Sequence, residues 1–146
     1  MRMKALTVPG EPEYLGDIVE YVLTAAEMAQ LDERAAYRLR LAVDEIATNI
    51  VAHGFTKTGQ EGWLRITAVF TPTQLKIQLD DTAAPYDPTQ CPQPATLHAS
   101  PHDRHPGGLG IYLALGGVDK FRYERRNGWN RSTFIAQRKP ALVPAY

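Results

Sequence analysis

Three features of the sequence predict an α+β fold of two layers, a sandwich in which three helices cover a mixed, mostly antiparallel sheet. Apolar residues recur at helical spacing in two stretches of the first third. Four later stretches alternate apolar and polar residues with strand period, and the last two are joined by an Asn-Gly turn. The resulting order is strand, helix, helix, two strands, a long gap, helix, two strands. It groups hairpin-linked strands and paired helices into one domain over 1–146.

Residues 3–8 read as a first strand, stopped by Pro9-Gly10. Over 13–30, Leu15, Ile18, Val19, Val22, Leu23 and Ala26 fall on one helical face. Asp32 is placed to cap a second helix, with Leu39, Val43, Ile46 and Ile50 as its apolar stripe and Gly54 as its stop after His53. Strand alternation puts Leu64, Ile66, Ala68 and Phe70 of 63–70 on one face. In 74–81 it puts Leu75, Ile77, Leu79 and Asp81 on one face and Lys76, Gln78 and Asp80 on the solvent face. Residues 82–106 hold six prolines and three of the four histidines and have no period. A gap of that length inside one domain points to a functional loop or lid, here about 89–106. The turn Gly107-Gly108-Leu109-Gly110 leads into a short apolar helix, Ile111 to Leu115. Strands at 119–126 and 131–138, around the turn Asn127-Gly128, close the chain.

The bulk numbers narrow the function classes. The apolar fraction of 44% suits a globular protein with a packed core. Sixteen basic residues balance sixteen acidic ones, which gives no support for direct nucleic-acid or membrane binding. The lone Cys91 allows no intrachain disulfide and fits a reducing compartment. The N-terminus lacks the apolar run of a secretory signal, and no window approaches a membrane span. A cytoplasmic location is expected.

Glu45, Asn49 and His53 recur every four residues and form one polar stripe that borders the buried face of the second helix. A carboxylate and a carboxamide there suit a proton and a hydrated Mg²⁺; a solvated helix edge is the plain alternative. Asp81 points by alternation to the covered face, where a carboxylate needs a partner. The amino group of a ligand base, a backbone amide or the next loop would each serve. Gly107, Gly108 and Gly110 before a helix would let backbone N–H groups approach phosphate oxygens, although such turns are common and no Walker A lysine follows. His98, His102 and His105, with Cys91 and Asp103, fit no standard zinc spacing, and a solvated lid explains them better. Arg122, Arg125, Arg126 and Arg131, interleaved with Phe121, Tyr123 and Trp129, read as a solvated sheet face rather than a nucleic-acid surface.

Three separated motifs in this order resemble the GHKL (histidine-kinase-like) ATPase superfamily. They are LAVDEIATNIVAHGF (41–55), LDDTAAPYDP (79–88) and GGLGIYLA (107–114), followed by a closing NRSTFIAQ (130–137). The second is similar to the pattern of the anti-sigma-factor serine/threonine kinase branch. The resemblance covers nearly the whole chain and implies the Bergerat-type ATP-binding fold. It implies that Glu45 is the general base and that Asn49 holds Mg²⁺ on the ATP phosphates. It puts Asp81 on the adenine amino group, with Thr133 in support. Gly107, Gly108, Leu109 and Gly110 would cradle phosphate, and Arg104 would be a lid cation for the γ-phosphate. His53 matches a family position without an assigned role. The chain departs from the pattern at Ala83, where Gly is usual, so that a methyl group either crowds the base or packs on it.

The implied activity is ATP-dependent phosphorylation of an anti-sigma-factor antagonist by a kinase that is also an anti-sigma factor. The partners would be that antagonist, a sigma factor and a second copy in a homodimer. A non-catalytic ATP- or ADP-binding regulatory module, or a trans-acting component of a two-component-like system, remains the alternative. The residues ahead of Glu45 are all needed by the fold, which leaves no place for a phospho-accepting dimerisation helix.

Overall fold

The computed structural model describes residues 1–90 and 108–139. The strands are β1 (Leu6–Pro9), β2 (Trp63–Phe70), β3 (Gln74–Asp81), β4 (Lys120–Arg126) and β5 (Trp129–Gln137). The helices are α1 (Leu15–Met28), α2 (Glu33–Asn49) and α3 (Gly108–Gly116). The sheet order is β1-β2-β3-β5-β4. All four pairings are antiparallel, so the expected parallel component is absent among the described strands.

Local chemistry sets the element ends. The Asp32 carboxylate accepts from Ala35 N at 2.8 Å and caps α2. Gln30 adopts a positive φ at the end of α1, and Leu31 N reaches back to Ala26 O, which closes the helix as a Schellman turn. Asn127 and Gly128 both have positive φ, as the tight β4–β5 hairpin requires. The second helix does not stop at Gly54. It widens into a π-helical turn, Ile50–Thr56, with Lys57 N bonded to Ala52 O.

The core forms where α1 and α2 cover one sheet face. Ile18, Val22, Leu39, Val43 and Ile46 meet Leu64, Ile66, Ile77, Leu79 and Phe134, all buried. Each such side chain contributes roughly 1.5–3 kcal/mol by leaving water. Phe121 of β4 stacks edge-on against Phe134, with ring centroids 5.1 Å apart. No helix among the described residues is long and apolar enough to cross a membrane.

The first strand begins later than the sequence pattern suggests because of one buried hydroxyl. Tyr21 of α1 donates to Lys4 O at 3.0 Å and accepts from Ala68 N at 3.1 Å. The phenol thus occupies the place of a strand-to-strand bond, and ladder pairing resumes at Leu6. Beyond the interruption, Met3 N still reaches Ala68 O, and Arg2 bridges Val69. Tyr21→Phe leaves the Ala68 N–H buried without this acceptor. It should cost about 1–3 kcal/mol of unfolding free energy, measured by urea denaturation; an unchanged midpoint would show that the hydroxyl is dispensable.

Candidate functional site

A cavity of about 460 Å³ opens between the C-terminal end of α2, the π turn, the loop after β3 and the start of α3. Asn49, His53, Gly54, Asp81, Ala83, Ile111, Asn130 and Ser132 are among the side chains that line it. Asn49 and Asp81, widely separated in sequence, therefore share one pocket. Glu45 sits one turn before Asn49; it is not among the residues that line the cavity and is linked to it through Asn49. Asn49 Nδ2 donates to Glu45 Oε1 at 3.2 Å and to Glu45 O at 2.8 Å. With its nitrogen held in the helix, Asn49 has its amide oxygen left as the group to offer a cation.

Asp81 is 2% exposed at the end of the apolar row of β3. Its Oδ1 accepts from Ala83 N at 3.0 Å and from Asn130 Nδ2 at 2.8 Å. Burial pushes its carboxyl above the ordinary value, against the lowering effect of the Asn130 and Ala83 bonds. A leucine there would add about 1.5–3 kcal/mol of burial that an aspartate forgoes. A charge kept in such a place marks a site more than it stabilises a fold.

Asn130 is the residue that sequence reasoning missed. Besides Asp81 it donates to Ala83 O at 3.0 Å and Ala84 O at 3.1 Å. Its own oxygen accepts from the Tyr123 hydroxyl and from Arg125 Nη1. Arg125 also donates to Ala83 O at 2.9 Å. The network fixes the direction in which the chain leaves β3. The signal was available: once Asn127-Gly128 sets the hairpin, alternation along β5 puts 130, 132 and 134 on one face.

The same register corrects the expectation for Thr133. It pairs with Gln78 and shares the outer sheet face with it, so it does not support Asp81. Ser132, opposite Leu79, is the hydroxyl of β5 that lines the cavity. Asp80 also departs from its expected solvent position. It is 3% exposed beneath Arg131, whose Nε and Nη2 bond it at 2.8 and 3.0 Å, and Arg65, whose Nη2 bonds it at 3.2 Å. Two of the four arginines read as solvated, Arg125 and Arg131, are therefore engaged in the fold.

Two glycines act by leaving room. A methyl group on Gly110 would overlap the Glu45 carboxylate, which would have to swing aside. A Cβ on Gly54 would stand 2.8 Å from Ala83 Cβ. The methyl of Ala83 thus occupies the space that Gly54 vacates and forms part of the cavity wall. Gly108 opens α3. Arg104, Gly107 and the lid residues from 91 to 106, Cys91, His98, His102, Asp103 and His105 among them, lie outside the described residues. Among the described residues no group of three His, Cys, Asp or Glu side chains could hold a metal. The donor set at the cavity instead suits an ion such as Mg²⁺, which takes one or two protein oxygens and keeps waters and phosphates for the rest.

Residues 8–135 match the family described as the histidine kinase-like ATPase domain. The serine/threonine-protein kinase BtrW of Bordetella bronchiseptica is 36% identical over 107 residues, which cover 73% of this chain and 74% of that protein. The serine-protein kinase RsbW of Bacillus pumilus is 27% identical over 129 residues, 84% of this chain and 78% of that one. Among solved structures, the RsbU and RsbW domains of a Mycobacterium tuberculosis protein superpose with a TM-score of 0.61 at 13% identity. That match covers 97% of this chain and 35% of the other. The catalytic domain of the histidine kinase ThkA gives 0.53 at 13% identity, over 94% and 99% of the two chains. These likenesses support the two-layer fold.

The Asp81 environment makes a stability prediction. A carboxyl whose pKa is raised by folding binds its proton more tightly in the folded state. Its ionised form costs stability, and the cost grows as pH rises from the unfolded value through the folded one. Asp81→Asn keeps an oxygen for Ala83 N and Asn130 Nδ2 but removes the charge. The variant should melt above the parent at neutral pH, with the advantage shrinking as pH falls into the ordinary carboxyl range. A difference in Tm that ignores pH would refute the burial cost.

Proposed function

The chain belongs to the histidine kinase-like ATPase domain family, and we propose that it transfers the γ-phosphoryl group of Mg-ATP to a serine or threonine of a protein substrate. The meeting of Asn49 and Asp81 in one cavity, with Glu45 hydrogen-bonded to Asn49 from one turn earlier, supports this reading. The kinase names borne by BtrW and RsbW support it. The substrate we propose is an anti-sigma-factor antagonist. The chain would then be an anti-sigma factor that exchanges a sigma factor for the antagonist, acting in the cytoplasm as a homodimer.

The residues divide the work by position. Asp81, buried and accepting, takes a hydrogen bond from the exocyclic amino group of adenine, while Ala83 and Ile111 supply apolar wall to the cavity. Asn49 would hold Mg²⁺ through its amide oxygen, where the ion would supply charge neutralisation for phosphoryl transfer. Glu45 takes the proton of the attacking hydroxyl. The new bond joins that oxygen to the γ-phosphorus, the bond to the β–γ bridging oxygen breaks, and ADP leaves. Backbone N–H groups at Gly107, Gly108, Leu109 and Gly110 would receive phosphate, with Arg104 as the lid cation, as the motif resemblance implies. The added phosphate carries about −1.5 to −2 charges, enough to break an interface and release the modified partner.

Incubation with γ-labelled ATP and candidate antagonist proteins tests the proposal, and label should appear on a serine or threonine of one of them. Glu45→Ala should retain nucleotide binding and lower transfer by roughly 10²–10⁴-fold, the usual share of a general base. Transfer at the parent rate would remove Glu45 from that role. Asn49→Ala should bind ATP with little gain from Mg²⁺ in calorimetry, whereas an undiminished gain would place the ion elsewhere.

A further inference from the structure

We propose that the outer face of the sheet, remote from the nucleotide cavity, carries a second ligand site, one that takes an oxyanion such as a phosphoryl or carboxylate group. The site is a cleft of about 660 Å³ between residues 2–5 and the strands β2, β3 and β5. Arg2, Lys4, Arg65 and Arg131 line it against one carboxylate, that of Asp80.

The cleft is built rather than a chance gathering of surface charge. Asp80 is buried, and its two oxygens receive three N–H bonds from Arg65 and Arg131. The carboxylate thus holds two guanidinium groups in fixed planes and leaves each with further donors. A planar fork held in place suits an oxyanion, because little freedom is lost when the ligand arrives. Arg65 is steadied from its other side by Trp129, with the guanidinium carbon 4.6 Å from the ring centroid. The opposite wall is fixed too. The Tyr21 hydroxyl binds Lys4 O, Met3 N reaches Ala68 O and Arg2 bridges Val69, so residues 2–5 are held along the edge of β2 although the regular ladder is interrupted there. Arg2 and Lys4 are exposed at the rim, where they add attraction without structural duties. The neutral balance of the whole chain conceals this asymmetry.

The register supplies a reporter. Trp63 and Trp129 are the two tryptophans of the chain, and both fall on the outer sheet face with Arg65 and Arg131. Intrinsic fluorescence therefore reads this side of the sheet and not the nucleotide cavity.

The test titrates the full chain, saturated with a non-hydrolysable Mg-ATP analogue, with inorganic pyrophosphate in one arm and citrate in the other. A saturable change in tryptophan emission is expected in at least one arm, and the responding arm identifies phosphoryl or carboxylate as the preferred group. The double variant Arg2→Glu, Lys4→Glu should weaken the response roughly tenfold or more while leaving Tm and nucleotide binding in place. No saturable change in either arm overturns the proposal, and so does a response that survives in the double variant. Either negative result leaves the kinase reading untouched, since that reading rests on the opposite face.

Discussion

The structure depends on holding one carboxylate where a hydrophobic side chain would pack. Asp81 ends the row Leu75, Ile77, Leu79, and the sheet offers it no cation in direct contact. Its partners are an amide side chain and a backbone N–H. Asn130 can serve because an antiparallel register sets it directly opposite. The same amide then reaches Ala83 O and Ala84 O, so satisfying the carboxylate also steers the loop that forms the cavity wall. Tyr123 and Arg125, on the inner side of β4, fix the amide from behind. A defect at any of these contacts would be felt at Asp81 and in the pocket together, because they share atoms.

Two adjacent aspartates show how a sheet separates chemistries. Asp80 and Asp81 differ by one position and therefore by one face. Asp80 meets two guanidinium groups and becomes the neutralising centre of a basic surface. Asp81 meets amides, and its desolvation there raises its carboxyl above the ordinary value. The inner face is thereby suited to a ligand that donates hydrogen bonds, and the outer face to one that accepts them. Neither arrangement needs a special backbone; the pleat alone provides the distinction.

Most of the architecture was legible in the sequence because it rests on periodicity. The stripe from Leu39 to Ile46, the alternation of β2 and β3, the Asp32 cap and the Asn127-Gly128 turn each carry a local signal that packing reinforces. What escaped was decided by contacts distant in sequence. Tyr21 shortens the first strand from another element. Asp80 is buried because arginines from two neighbouring strands meet over it. Thr133 and Ser132 are both plausible hydroxyls by composition, and only the pairing of β5 with β3 tells which faces the cavity. Gly54 looks like a helix stop in isolation, yet the helix runs past it, and the room it leaves is used by Ala83. Asp81 could be read from its own strand; Asn130 required that strand to be paired with its neighbour.

The glycines point to a coupling between elements that side-chain inventories overlook. Gly110 lets the first turn of α3 rest against the Glu45 carboxylate, where a side chain at 110 would displace that group. A helix seated there cannot shift without changing the surroundings of that carboxylate, and Asn49 is tied to it by a hydrogen bond. The start of α3 follows directly in sequence on the segment proposed to receive the phosphates. In the proposed mechanism the third glycine would do more than admit a phosphate: it leaves the Glu45 carboxylate room beside the first turn of α3.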